Sequence, residues 1–325
     1  MEMFRYIFKR ILQTIPLLII VSLISFFIIR LSPVDPLAEL RLNPSISEET
    51  LNKEIKRLNL DKPIYIQYFS WAKSFVKGDL GYTTAGEKVS QKLAERIPNT
   101  LLLSLVVIFM TWLVGIPLGI ISAIKKESVF DRFLTVLASI GMAIPSFFFA
   151  ILLLIFAVKT GWFPVGGLTS YNYNELSFCG KFIDIAKHLV LPTVVLFTIS
   201  LAGLQRQIRA NMLEVLDSDY IKYARARGLS EFQVIFKHAL RNAINPMITL
   251  LGFEFAGLLS GAALTEYVFQ YPGLGRLILE AVMKSDINLV MASLMMGTLM
   301  LILGNLLADI LLMITDPRIR RRSEQ

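Results

Sequence analysis

Long apolar stretches separated by short polar and basic segments run through the whole chain. A bilayer core about 30 Å thick is crossed by roughly 20 apolar residues of helix at about 1.5 Å each. Six stretches meet or approach that length: Ile11–Ile29, Asn99–Ile124, Phe133–Val158, Leu189–Gln205, Asn242–Thr265 and Ile287–Ile314. The second and third contain no Asp, Glu, Lys or Arg, and the fourth is short enough to suit a steep or partly buried helix. The fifth is apolar except for Glu254, the sixth except for Asp309 near its end. Without water at that depth each span is predicted to be helical. Pro16, Pro117, Pro145, Pro192 and Pro246 fall inside the spans. Neighbouring helices can re-satisfy the carbonyls that proline frees, so the pattern predicts a bundle rather than separate anchors.

Two polar segments carry patterns of their own. In 31–98, Ser47 is placed to cap a helix bearing Leu51, Ile55 and Leu58 at helical spacing, and Pro63 suits a first helical position. Tyr65, Tyr68, Phe69, Trp71, Ala72 and Phe75 follow and end at Gly78. Such a stretch beside a membrane reads as an interfacial helix, or more sharply as a docking surface for an outside partner. In 206–241, Asp217, Ser218 and Asp219 offer N-cap oxygens for a short helix over Tyr220–Arg227. Gly228 fits the left-handed position after that helix, and Ser230 with Gln233 forms a capping box for the next. The product is a short, basic, doubly punctuated helix between two spans, suited to act as a rigid lever rather than an ordinary connecting loop.

Composition places the chain in a membrane. Of 325 residues 54% are hydrophobic and 18% charged, against about 25% charged in soluble domains. The net charge of +8, 33 basic against 25 acidic residues, belongs to membrane topology rather than to nucleic acid. Basic residues gather in the N-terminal segment (Arg5, Lys9, Arg10), after span two (Lys125, Lys126, Arg132), after span four (Arg206, Arg209, Lys222, Arg225, Arg227, Lys237, Arg241) and in the tail (Arg318, Arg320, Arg321, Arg322). Threading six spans puts all four on one side, which is the cytoplasm, with both termini inside. Arg30-Leu31-Ser32-Pro33 has no small-x-small cleavage pattern, so the first span is read as a retained helix rather than a signal peptide.

Catalytic and metal chemistry find little support. One cysteine, Cys179, excludes an internal disulfide and a Cys-based zinc site, and reads as an inert extracytoplasmic thiol. Two histidines are too few for most metal sites; His188 reads as a loop or interface residue. There is no phosphate loop, no G-x-S-x-G elbow and no H-E-x-x-H. Asp217-Ser218-Asp219 matches a D-x-D metal pair, as in a membrane glycosyltransferase, but capping accounts for it better. Gly115–Gly119 and Gly257–Gly261 have the spacing that lets helices approach closely. Glu254 reads either as a pathway residue meeting a cationic substrate group or as a hydrogen-bonded packing residue. Asp309 is expected to pair with the tail arginines. Self-contained secondary transporters usually carry more spans in repeated halves, so six spans suggest half of a shared pathway.

The chain resembles the integral-membrane subunit of binding-protein-dependent ABC importers, and within it the B-type permease of the dipeptide, oligopeptide and nickel group. The family motif is EAA, three residues, Gly, nine residues, Ile, any residue, Leu-Pro. With its glycine on Gly228, Lys222-Tyr223-Ala224 takes the EAA positions, His238 the Ile position and Leu240-Arg241 the Leu-Pro positions, so Ala224, Gly228 and Leu240 match. DYIKYARARGLSEFQVIFKHALRNA is similar to the group's own version. Gly78-Asp79-Leu80-Gly81, Arg96-Ile97-Pro98-Asn99-Thr100, Glu266, Pro272-Gly273-Leu274-Gly275, Asp309 and Asp316-Pro317-Arg318 carry the likeness along the chain; Ser32-Pro33-Val34-Asp35-Pro36 departs from it.

The resemblance implies an all-α polytopic membrane protein of type I importer fold with six transmembrane helices. It implies a cytoplasmic N-terminus and first helix over 1–30, an extracytoplasmic segment 31–96, a transmembrane type-1 domain 97–314 with coupling loop 206–241, and a basic tail 315–325. It implies no enzyme activity and no directly bound cofactor, with ATP and magnesium used by partner subunits. Those partners are a second, C-type permease, two cytoplasmic ATPases and an extracytoplasmic substrate-binding protein. The ATPase-coupling residues would be Asp219, Tyr220, Tyr223, Ala224, Arg225, Ala226, Arg227, Gly228 and Leu229. Lys222, Arg225 and Arg227 would pair with acidic groups of the partner, and Tyr223, Ala224 and Leu229 would supply packing. Peptides are the expected cargo, with nickel chelates, opines or glutathione as alternatives.

Overall fold

A computed structural model describes residues 2–31, 37, 41, 46–57 and 60–315. Among them the chain is helical, the one bridge between extended residues joining Tyr82 and Lys88. In chain order the helices are α1 (Glu2–Leu31), α2 (Glu48–Arg57), α3 (Ile64–Val76), α4 (Val89–Ile124), α5 (Val129–Ala143), α6 (Ser146–Thr160), α7 (Phe178–Leu216) and α8 (Asp219–Ala226). A π-helical stretch, Gln233–Ala239, leads into α9 (Leu240–Ala243), α10 (Asn245–Gly261), α11 (Ala263–Val268), α12 (Leu274–Met283) and α13 (Ile287–Thr315).

Four segments of the described chain are long and apolar enough to cross a membrane: Leu12–Leu31, Val89–Ile124, Phe178–Leu216 and Ile287–Leu311. They answer to the first, second, fourth and sixth expected spans. The third is not one rod. It divides into α5 and α6, bent by 96°, because Pro145 has no N–H and forces the residue before it out of helical geometry. Ile144 accordingly sits at φ −82°, ψ 121°. The fifth expected span is likewise divided: α10 has 17 residues, starts at Asn245-Pro246 and hands over to α11 at Ala262. Pro145 and Pro246 thus open helices, whereas Pro16 and Pro192 lie inside α1 and α7. The fourth span is longer than its apolar run, since α7 has 39 residues; lipid sets the length of the apolar part, while polar residues at both ends continue the same helix.

The chain divides into two compact units, Met1–Asn99 with Gly273–Met300, and Thr100–Pro272 with Leu301–Gln325. In the first, Val89 and Leu93 pack with Leu274, Leu277 and Ala281 of α12 and with Leu289 and Val290 of α13. Tyr68 is buried against α1, its ring 5.5 Å from Phe26 edge to face and its hydroxyl 2.9 Å from Ser22 Oγ. The aromatic stretch of α3 is therefore split, with Tyr68 a core residue and Tyr65 and Phe69 exposed. Ser47 caps α2 as expected, its Oγ accepting from Thr50 N at 3.2 Å; Leu58 lies outside the described residues. Asp286 Oδ1 caps α13 through Leu289 N, and its Oδ2 accepts from Thr84 N at 2.7 Å.

The second unit is organised around α7. Ile120 and Ala123 of α4 join Leu204, Ile208 and Met212 of α7, Ile221 and Ala224 of α8 and Val234, Ile235 and Ala239 in one buried cluster. The Gly115–Gly119 spacing is a close approach: a Cβ on Gly119 would stand 2.7 Å from Ile208 Cβ, and one on Gly115 2.9 Å from Leu204 Cδ2. No such contact exists at Gly257, where a Cβ would meet nothing within 4 Å.

Candidate functional site

The segment expected to act as a lever begins where α7 ends. Ser218 stands at the N-cap position of α8, yet its hydroxyl donates back to Val215 O at 2.5 Å rather than capping, so the expected side-chain cap is not made there. At the other end the geometry is as expected. Gly228 lies at φ +79°, its N–H donates to Arg225 O at 2.9 Å, and Leu229 N–H reaches Ala224 O at 3.4 Å. This pair of bonds is a Schellman closure, which satisfies the last carbonyls of the helix and requires the left-handed residue. Ser230 and Gln233 bond reciprocally at 3.4 Å, the expected capping box, and the next turns are π-helical.

The helix has two faces. Ile221 is fully buried and Ala224 is 8% exposed, both in the core around Met212 and Val234. Ala224 thus packs inward rather than on an outward docking face, and Leu229 packs against the same core. Tyr223 is 72% exposed, and Asp219, Tyr220, Arg225, Ala226, Arg227 and Gly228 are exposed with it. Tyr220 Oη accepts from Asn242 Nδ2 at 2.7 Å, tying the start of α8 to the helix that follows. Two of the three cations expected to meet a partner are engaged within the chain. Arg225 makes a bidentate pair with Glu231 at 2.8 and 3.2 Å, and Lys222 lies 3.5 Å from Asp219 and 3.6 Å from Asp217. Just beyond, the exposed rings of Phe232 and Phe236 stack with centroids 4.7 Å apart.

Upstream of α8 lies an ion pair that no local pattern announces. Arg209 Nε and Nη2 donate to the two oxygens of Asp131 at 2.6 and 2.7 Å. Asp131 is 2% exposed and also accepts from Ser122 Oγ and from Glu127 N. Charge counting sees Arg209 only as one more cytoplasmic cation; its partner is 78 residues away. Removing one member of a buried pair of this kind costs about 3–5 kcal/mol, because the other is left uncompensated.

Glu254 is half-buried on α10 and accepts from Trp112 Nε1 at 2.9 Å. Two motifs that carry the family likeness also meet: Thr100 Oγ1 donates to the fully buried Glu266 at 2.8 Å. Glu266 O accepts from Tyr271 N at 2.8 Å. Burial, with the Glu266 carboxylate nearby, pushes the fully buried Tyr271 phenol up, so it stays protonated. His188 is not a loop residue: it is buried within α7, its Nδ1 donating to Asp184 O at 2.8 Å. Cys179 is exposed. Asp309 is half-buried on α13, and the tail arginines expected to meet it lie outside the described residues. Among the described residues no three His, Cys, Asp or Glu side chains gather as a metal site.

Comparison with known proteins settles the family. Residues 115–321 match the family described as binding-protein-dependent transport system inner membrane component, and residues 3–104 match that family's N-terminal part. The chain belongs to this family. It is a multi-pass inner-membrane permease component of an ABC importer and not itself an enzyme. The permease is similar to the oligopeptide transport system permease protein AppB of Bacillus subtilis, 40% identical over 317 residues, 97% of this chain and 98% of that one. It is also similar to the di/tripeptide transport system permease protein DppB of Pseudomonas aeruginosa, 37% identical over 339 residues, 98% of this chain and all of that one. In fold it is similar to a chain of the MetNI methionine ABC transporter in an inward-facing form, with a TM-score of 0.56 and 16% identity over 70% of this chain and 97% of that one.

Proposed function

We propose that this permease forms half of the pathway by which di- or oligopeptides enter the cell. A C-type permease supplies the other half, two cytoplasmic ATPases supply the work of ATP hydrolysis with magnesium, and an extracytoplasmic binding protein delivers the peptide. The observation that carries the cargo is near full-length similarity to permeases named for oligopeptides and di/tripeptides. The clustering of basic residues in short segments supports cytoplasmic termini and a cytoplasmic 206–241. In this reading α8 is the coupling helix. Its inward residues Ile221 and Ala224 weld it to the permease core, and Tyr220, Tyr223, Ala226 and Arg227 face the ATPase. Exposed charge pairs contribute only about 0–1 kcal/mol each, and Arg225 and Lys222 already have partners. Tyr223, 72% exposed, is then the main apolar contact. Glu254 is proposed to line the pathway and attract the cationic end of a peptide.

The test is reconstitution of the permease with its ATPases, second permease and binding protein in proteoliposomes, with radiolabelled di- to pentaalanine outside. Uptake that requires ATP and the binding protein, together with cross-linking of Tyr223→Cys to an ATPase subunit, is the expected result. Uptake by the permease without ATPases, or no uptake of any of these peptides by an assembled, ATP-hydrolysing complex, overturns it.

A further inference from the structure

We propose that Asp131 and Arg209 form a positioning latch that makes the coupling helix, the α4–α5 turn and the start of the bent α5–α6 pair move as one body. The inference rests on the reading of α8 as the coupling helix. Four contacts converge on one carboxylate: both arms of Arg209 from α7, Ser122 Oγ from the end of α4, and Glu127 N from the turn between α4 and α5. Glu127 sits at φ +64°, a conformation that non-glycine residues hold only when their surroundings over-determine it. The bond from its N–H to Asp131 at 2.9 Å is the contact that holds it. Ser128 adds a cap on α5 through Asp131 N at 3.2 Å.

The latch stands one helical segment before α8, and the surrounding packing leaves little slack. A Cβ on Gly119 would collide with Ile208, the residue before Arg209, and Gly141 of α5 lies against Thr198 of α7. Arg209 is thus held from two sides, by α4 through Ile208 and by α5 through Asp131. A displacement of α8 enters the permease through the end of α7. With the latch closed it reaches α5 directly; with the latch open, α7 can tilt while α5 and its 96° elbow stay behind. A bidentate guanidinium–carboxylate pair suits this role because it fixes orientation as well as distance.

The experiment compares wild type, Asp131→Asn, Arg209→Lys and the exchange pair Asp131→Arg with Arg209→Asp in the complete reconstituted complex. Trialanine uptake and ATP hydrolysis are measured in the same vesicles. The expected result is normal assembly of Arg209→Lys with ATP hydrolysis retained and a several-fold rise in ATP consumed per peptide imported, stronger in Asp131→Asn and partly reversed in the exchange pair. An unchanged ratio in assembled Arg209→Lys and Asp131→Asn complexes overturns the latch. So does a loss confined to assembly yield, with each assembled complex working normally. Gly228→Val in the same assay separates the two ideas: if it uncouples while the latch variants do not, the coupling-helix reading stands and the latch falls. If it too leaves the ratio unchanged, the coupling-helix reading itself falls.

Discussion

Trp112 Nε1 donates to Glu254 Oε2 at 2.9 Å, so the lone carboxylate in the apolar run of α10 is held by an indole on α4, 142 positions earlier. A charged group at membrane depth costs a few kcal/mol and is tolerated when it faces protein or water. One hydrogen bond uses one of several acceptor sites on the carboxylate, which leaves Glu254 able to receive a second donor.

Exchange of Glu254 for Gln keeps an oxygen for Trp112 and removes the charge. Assembly and thermal stability should be unchanged, while uptake of alanine peptides should fall, and most for peptides with an added lysine. Glu254→Leu should add a stability loss of about 1–3 kcal/mol, since the indole N–H is then unpaired. Uptake assays and detergent melting curves on both variants separate charge from packing; unaltered uptake in Glu254→Gln assigns the residue to packing alone.

Gly119 should tolerate no side chain. A Cβ there would stand 2.7 Å from both Cβ and Cγ2 of Ile208 and 3.1 Å from Gln205 O. Ile208 is β-branched and stiff, so relief demands movement of α4 against α7. Gly119→Ala should lower stability by about 1–3 kcal/mol as an overpacked site, and Gly119→Val by more. Gly257→Ala, with open space around its Cβ, is the matched control and should be near neutral in the same melting assay.

Thr100 and Glu266 test a buried hydrogen bond between distant parts of the chain. Thr100→Val preserves shape and removes the donor to a carboxylate with no exposed surface. A loss of about 0.5–1.5 kcal/mol, or up to about 3 for a bond to a charged group, is expected when this bond is removed. Thr100→Ser, which restores a hydroxyl, should recover most of it. Equal melting of Thr100→Val and wild type would show the bond to be immaterial.

The spans were legible because lipid leaves the chain no alternative: a backbone without water must be helical, and its side chains must be apolar. Gly228 was legible because few other residues sit comfortably at positive φ. Breaks at Pro145 and Pro246 were harder. A proline within an apolar run marks a kink or a helix start equally well, and only the neighbours decide which. The pairs Asp131–Arg209, Trp112–Glu254 and Thr100–Glu266 were invisible, because each joins residues far apart in sequence and periodicity encodes faces rather than partners. The inward turn of Ala224 belongs with them: which side of an eight-residue helix meets the core is set by Met212, Val234 and Ala239 from neighbouring elements. Lys222 and Arg225 looked available for the same reason, although Glu231, six residues on, was within reach of Arg225.

The order of tolerance at Gly228 tests the coupling role proposed for α8. A Cβ at this position would meet nothing within 4 Å, so crowding plays no part and the penalty comes from φ +79° alone. The left-handed region costs ordinary L-residues roughly 1–2 kcal/mol, less for Asn, and more for β-branched residues. Coupled transport should therefore decline in the order Gly, Asn, Ala, Val, with Val close to inactive. If instead the role of Gly228 were to leave room for a partner side chain, volume would govern. Asn would then be worse than Ala, because it is larger. Trialanine uptake and ATPase stimulation in reconstituted complexes distinguish the two orders. A ranking by size would mean that the docked ATPase approaches Gly228 itself, and that the Schellman closure is incidental to coupling.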